Sequence, residues 1–153
     1  QEALPMVVDK RNSHGLKDRI RIIATGKLIN PVDVAWALCT GADFVNCGRG
    51  FMFALGCIQA MKCNTNNCPT GVTTHKKHLQ AGLDPTDKRV RVMHFVQEMR
   101  REVGIIAHSC GVSEPRQLRR RHVRLVCPDG RSRPLDELYP DAPARASQGQ
   151  QGA

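Results

Sequence analysis

The chain has 153 residues, about one domain's worth, with hydrophobic residues at 41% and aromatics at 4%. Its 23 Lys and Arg against 14 Asp and Glu give a formal net charge of +9. That much apolar material excludes a wholly disordered or collagen-like polymer, and no run approaches the roughly 20 apolar residues of a membrane span.

Glu2 to Lys17 reads as a helix bearing Leu4, Met6, Val7 and Val8 and running out at Gly15. Arg19 to Ala24 is a short β-branched run that ends at Thr25-Gly26-Lys27, as a strand punctuated by glycine does. Asn30 then caps a helix with Pro31 at its first position and Asp33 near the positive end of the dipole. Val34, Ala35, Leu38 and Ala42 supply its inner face, and Gly41 is its stop. Asp43 to Cys47 reads as a second strand, halted by Gly48-Arg49-Gly50. Strand, helix and strand within about 30 residues make a βαβ unit, whose strands are parallel and whose crossover is right-handed. The strands are too apolar to alternate, as expected when both faces are covered.

Phe51 to Met61 is expected to form a third, unusually apolar helix buried on several sides. Lys62 to Gly82 has no period and reads as a loop long enough to need something to organise it. Asp84 or Thr86 starts an amphipathic helix in which Val92, Met93, Val96, Met99, Val103 and Ile106 recur at helical spacing, ending near His108 with Gly111 behind it. Ser113 to Arg121 reads as a short basic helix, and Val123 to Val126 as a strand before the Pro128-Asp129-Gly130 turn. Beyond Asp141 the composition is that of a disordered tail.

The charge is concentrated late: 8 basic and 5 acidic residues up to Thr74, then 15 and 9. Arg116, Arg119, Arg120, Arg121, Arg124, Arg131 and Arg133 carry much of the excess, with only Tyr139 nearby for base stacking. A solvated face or a docking edge for a larger protein fits this run better than nucleic-acid binding. Seven cysteines, an odd number, without a basic-then-apolar leader, argue for reduced thiols in a cytoplasmic setting. Gln1 in place of Met suits a processed chain or a fragment, and a fragment is the expectation here.

Two sites stand out. The first is the pair of strand ends Thr25-Gly26-Lys27 and Gly48-Arg49-Gly50. Parallel strands send both loops out on one side, glycines let backbone amides approach an anion, and Lys27 and Arg49 add positive charge. Such paired loops form the phosphate grip of (β/α)8 barrels; the competing reading is that the glycines are ordinary turn residues. The second is Cys57, Cys63 and Cys68, three thiolates that suit iron–sulfur or zinc. Pro69 follows the last cysteine, as in ferredoxin runs. No CxxC is nearby, and His75 would complete a Cys3His zinc site. Cys39 and Cys110 read as small buried hydrophobes.

The run IIATGKLINPVDVAWALCTGADFVNCGRGFMFALGCIQAMKCNTNNCPTGVTTH, continued by HLQAGLDPTDKRVRVMHFVQEMRREVGIIAHSCGV, resembles the C-terminal part of the FMN-binding domain of the glutamate synthase family. The resemblance covers about Glu2 to Val112, with both glycine loops and the cysteine spacing in order. It implies an α/β fold: the last two strand–helix units of a (β/α)8 TIM barrel, an irregular cysteine loop and a helical C-terminal extension. The implied divisions are 1–56 for the barrel units, 57–82 for the cysteine loop, 83–140 for the extension and 141–153 for the tail. Gly26, Lys27, Gly48, Arg49 and Gly50 would hold the phosphate of FMN, and Cys57, Cys63 and Cys68 would ligate a 3Fe–4S cluster. Gly50 and Cys57 would sit about 10 Å apart along one helix at ~1.5 Å per residue.

The implied reaction is reductive amination of 2-oxoglutarate to L-glutamate through 2-iminoglutarate. Glutamine or ammonia would give the nitrogen, and ferredoxin or an NAD(P)H-linked subunit the electrons; neither nucleic acid nor a membrane is an expected partner. A barrel needs roughly 250 residues, so the remaining strands would come from a missing N-terminal region and this piece alone would be inactive. The alternative from another class is a zinc-stabilised basic module that binds nucleic acid.

Overall fold

The computed structural model describes residues 3–140. Helix α1 (Ala3–Ser13) leads to strand β1 (Ile23–Thr25), helix α2 (Pro31–Thr40), strand β2 (Phe44–Asn46) and helix α3 (Gly48–Ala54). A long irregular segment with the short helix α4 (Lys77–Gln80) precedes helix α5 (Pro85–Ser109). Two 3-10 turns (Pro115–Gln117, Arg120–His122), strands β3 (Arg124–Val126) and β4 (Ser132–Pro134) and helix α6 (Leu135–Leu138) complete a mixed α/β arrangement.

The βαβ reading holds: β1 and β2 pair in parallel with Ile23 opposite Phe44, Ala24 opposite Val45 and Thr25 opposite Asn46. Helix α2 forms where the capping residues place it. The Asn30 side chain accepts from the Asp33 amide at 2.8 Å, Pro31 opens the helix, and Gly41 closes it at φ 114°. A Cβ on Gly41 would also lie 2.8 Å from Val8 Cγ1, so this glycine lets α1 and α2 meet.

Helix α2 is apolar nearly all round because three partners surround it. Ala37 meets Ala24 and Ala42 on the sheet side, Val34 meets Cys47 and Val103, and Ala35 and Cys39 meet Ala107 and Leu118. Helix α5 and the first 3-10 turns therefore share one core with the βαβ unit. Asp84 caps α5 by accepting from the Thr86 amide at 2.9 Å, and Gly111 turns left-handed behind it. The tail beyond Asp141 lies outside the described residues.

Four expectations need correction. The first helix ends at Ser13, not Lys17. The third helix begins at Gly48 and stops at Ala54, seven residues in all, instead of running from Phe51 to Met61. Gly56, Gln59 and Met61 all take positive φ, which ends the helix, and Ile58 and Met61 are 67% and 84% exposed rather than buried. The expected helix over 113–121 is instead two 3-10 turns, each opened by a proline or an extended residue. The arginine run is not all solvated: Arg120 is buried and grips Asp9 of α1 at 2.6 Å while donating to the Tyr139 carbonyl at 2.8 Å. The hairpin of β3 and β4 adds an antiparallel pair of which only the first strand was expected.

Candidate functional site

The parallel register brings Thr25 and Asn46 side by side, so the two glycine-marked loops leave the sheet together. Gly26 has φ 110° and Lys27 φ 59°, two successive left-handed residues that turn the chain sharply off β1. A Cβ on Gly26 would meet nothing within 4 Å, and one on Gly48 only the Asn46 side-chain oxygen at 3.7 Å. The backbone at both positions is thus open to an approaching group, and Lys27 and Arg49 stand exposed beside it. Gly50 is placed differently. It lies in the first turn of α3, buried, with the Phe95 ring 2.5 Å from where its Cβ would be. Its lack of a side chain lets Phe95 of α5 seat on α3, where Phe95 also meets Phe51 edge to face at 5.2 Å.

This open, cationic end of the sheet fits an anion, and its donors are backbone amides with two flexible cations. Helix α3 contributes little dipole at seven residues.

The three cysteines are not gathered. Cys57 lies three residues beyond α3 and is half-buried, Cys63 is exposed and Cys68 is buried. Among the described residues no three His, Cys, Asp or Glu side chains converge at metal-binding range, so the ligand set for a cluster is not preformed here. The 10 Å helical spacing between Gly50 and Cys57 does not apply either, since the helix ends between them.

Cys68 nevertheless has thiolate character. The Thr70 hydroxyl at 3.5 Å, then the Thr73 and Thr70 amides, pull its pKa down to about 6. Cys39 is the opposite case: burial and then the neighbouring Cys110 push it up to about 12, and burial raises Cys47. Those are inert core thiols, as read for Cys39.

What organises the 62–82 segment, expected as an aperiodic loop, is a set of polar side chains whose individual pairings the sequence does not specify. Asn66, at φ 59°, accepts from the His75 amide at 2.6 Å and from the Thr74 hydroxyl at 3.1 Å, while that hydroxyl also donates to the Asn66 carbonyl at 2.7 Å. Lys76 donates to Asn67 at 2.5 Å and Gln80 to the Thr74 carbonyl at 3.0 Å. The run of asparagines was the available signal, because Asn tolerates left-handed backbone and bonds nearby amides. His75 is held through its amide, with its ring exposed.

A parallel βαβ unit whose carboxyl-end loops are open and cationic defines an α/β protein with a positively charged end of the sheet. Residues 1–113 match the family described as a conserved region in glutamate synthase. The chain belongs to the glutamate synthase family. It is 40% identical over 136 residues to a glutamate synthase large subunit-like protein of Bacillus subtilis, covering 89% of this chain and 26% of that protein. It is 32% identical over 123 residues to an archaeal glutamate synthase (NADPH) of Methanocaldococcus jannaschii, covering 80% and 24%. A ferredoxin-dependent glutamate synthase of Arabidopsis thaliana matches at 36% over 97 residues, 62% of this chain and 6% of its own length. The chain thus spans about a quarter of the first two relatives. Among the described residues no helix is long and apolar enough to cross a membrane.

Proposed function

We propose that this chain is the phosphate-loop and cysteine-loop portion of a glutamate synthase-like oxidoreductase that forms L-glutamate by reductive amination of 2-oxoglutarate through 2-iminoglutarate. Nitrogen would come from glutamine or ammonia, and electrons from ferredoxin or NAD(P)H; the relatives' names carry NADPH and ferredoxin. The observation that carries this reading is the parallel register of β1 and β2, which sets Gly26-Lys27 and Gly48-Arg49 next to each other with open backbone. FMN, when bound, supplies two-electron reduction of the imine. Lys27 and Arg49 would neutralise its phosphate, Gly26 and Gly48 would let main-chain amides reach it, and Gly50 would keep α3 in place through Phe95.

Cys57, Cys63 and Cys68 are proposed as the ligands of a 3Fe–4S cluster, gathered only in the intact polypeptide. Support comes from the family match, which includes all three positions. That same match disfavours a zinc-stabilised nucleic-acid module. The seven free cysteines support a reducing, cytoplasmic setting.

The sheet supports placement in a (β/α)8 barrel, as its last two strand–helix units. Parallel sheets are covered on both faces, yet Ile23 and Phe44, paired in register, are 63% and 52% exposed on the face away from α2. The remaining strands would cover them.

The test uses the intact polypeptide as its gene encodes it. Purified protein is expected to release FMN on acid treatment and to contain iron and acid-labile sulfide. A Lys27→Ala/Arg49→Ala variant is expected to retain at least about tenfold less FMN, the order of losing two charge-assisted contacts. Unchanged FMN content would remove the phosphate-loop assignment. Equal iron in a Cys57→Ser/Cys63→Ser/Cys68→Ser variant would remove the cluster assignment.

A further inference from the structure

The segment after Ser113 lies beyond the family match. Its cations are of one kind: seven arginines and no lysine between Glu114 and Pro140, against four carboxylates. A guanidinium presents a planar fork that matches phosphate oxygens, where an ammonium is a point charge. Several of these arginines are committed within the fold. Arg120 grips Asp9, Arg133 lies 3.6 Å from Asp129, and Arg124 donates to the Ser132 hydroxyl and carbonyl at 3.0 and 2.9 Å. Arg119 and Arg121 pair with no carboxylate among the described residues, and both line a cavity of about 560 Å³ together with Gln117, Arg120, Val112 and Asp136.

The donors around this cavity exceed the acceptors. Arg119 donates to the Arg116 and Leu118 carbonyls, each at 2.7 Å, which fixes its guanidinium without neutralising it. The Gln117 carboxamide oxygen is taken by the Ser113 amide and hydroxyl at 3.0 and 3.1 Å, leaving its NH2 as a donor. The Arg119 amide donates to His122 Nδ1 at 3.0 Å. Arg121 Nε points at the other ring nitrogen, Nε2, at 3.3 Å, and since the neutral ring has one lone pair for both donors, Arg121 gains at most a weak, uncharged partner there. Burial, then Arg121 and Arg119, hold His122 below its ordinary pKa, which keeps the ring neutral.

We propose that this cleft binds a small phosphate-class oxyanion, with Arg119, Arg121 and the Gln117 carboxamide as donors. Asp136 on the cavity wall sets the selectivity. A carboxylate there repels a fully ionised oxyanion but accepts the O–H of a hydrogen phosphate. Phosphate at neutral pH carries such a proton and sulfate does not.

Isothermal titration of the intact polypeptide with inorganic phosphate at low ionic strength tests this. The Lys27→Ala/Arg49→Ala background keeps the glycine loops out of the measurement. One saturable site is expected, with sulfate at least about tenfold weaker. Arg121→Gln is expected to weaken phosphate at least about tenfold, the order of one charge-assisted pair. Arg121 is exposed, so this variant keeps its fold, which a thermal melt checks. Arg131→Gln, an exposed cation outside the cleft, is expected to stay within about twofold, since screening weakens distant charges. Asp136→Asn is expected to bring sulfate close to phosphate. Absence of saturable phosphate binding, equal binding of sulfate, or an equal loss in Arg131→Gln would each overturn the assignment.

Discussion

Asp43 lies one residue before β2 and ties three parts of the chain together. Its carboxylate takes the Arg11 guanidinium of α1 at 2.5 Å and the Ile22 amide at 2.8 Å, with Arg21 at 3.7 Å. Burial alone would raise its pKa, but the Ile22 amide and Arg11 outweigh that and hold the carboxyl below its ordinary range. A carboxylate with a lowered folded-state pKa stabilises fully above its unfolded value, about 3.9, and that contribution fades as pH falls through the folded value. Stability measured by denaturant titration is therefore expected to fall on acidification below about pH 4. Asp43→Asn is expected to flatten that acid limb. It should also cost about 2–4 kcal/mol at neutral pH, because Arg11, with 5% of its side chain exposed, is left buried without its counter-charge. An unchanged acid limb in the variant would assign the effect elsewhere. Nothing in the sequence singled out Arg11 or Asp43, which stand 32 residues apart: a lone Arg on a helix reads as a surface charge until the fold closes on it.

Helices α2 and α5 were legible because local chemistry fixes both their ends: Asn30 with Pro31 and Asp84 with Pro85 at the start, Gly41 and Gly111 behind them. Helix α3 was not. Its apolar residues continue past Ala54, and pattern alone cannot register that Gly56, Gln59 and Met61 take left-handed backbone. The cysteine segment was legible as an aperiodic loop, but not its internal order, which comes from side chains bonding to main chain rather than from any period. Gly71 shows how tightly that segment closes. Its φ is 79°, and a Cβ would sit 2.5 Å from the Leu79 carbonyl oxygen and 3.0 Å from the Leu83 nitrogen, backbone atoms of the α4 turn. Gly71→Ala is expected to cost more than about 2 kcal/mol, combining backbone strain with a clash that no side chain can relieve. Gly130→Ala is the control: φ is 75° there too, but nothing lies within 4 Å, so about 1 kcal/mol is expected. Hydrogen exchange should show the segment from Asn66 to Leu83 losing protection in the first variant and keeping it in the second. Equal behaviour would mean that the close approach decides nothing.

At the scale of the whole molecule, the sheet is finished on one side only. Ala24 and Val45 turn toward α2, while Ile23 and Phe44 lie next to each other on the opposite face, more than half exposed. An apolar register pair facing water on a parallel sheet is what the proposed barrel placement would cover, and it was implicit in the sequence, whose strands lack the alternation of a half-solvated sheet. The two states of this face predict opposite energetics for one substitution. In the chain by itself Phe44 is already half solvated, so Phe44→Ala is expected to change stability by less than about 1 kcal/mol. In the longer polypeptide of the proposed barrel, whose further strands would cover the face, the same change would empty a core position and is expected to cost about 3–5 kcal/mol. Denaturant unfolding of both proteins with and without the substitution measures the difference directly. A small cost in both would leave the face solvent-exposed in the intact protein and the barrel placement without support. A large cost in the short chain would mean that the face is already covered, by a second copy, which the concentration dependence of the transition would reveal.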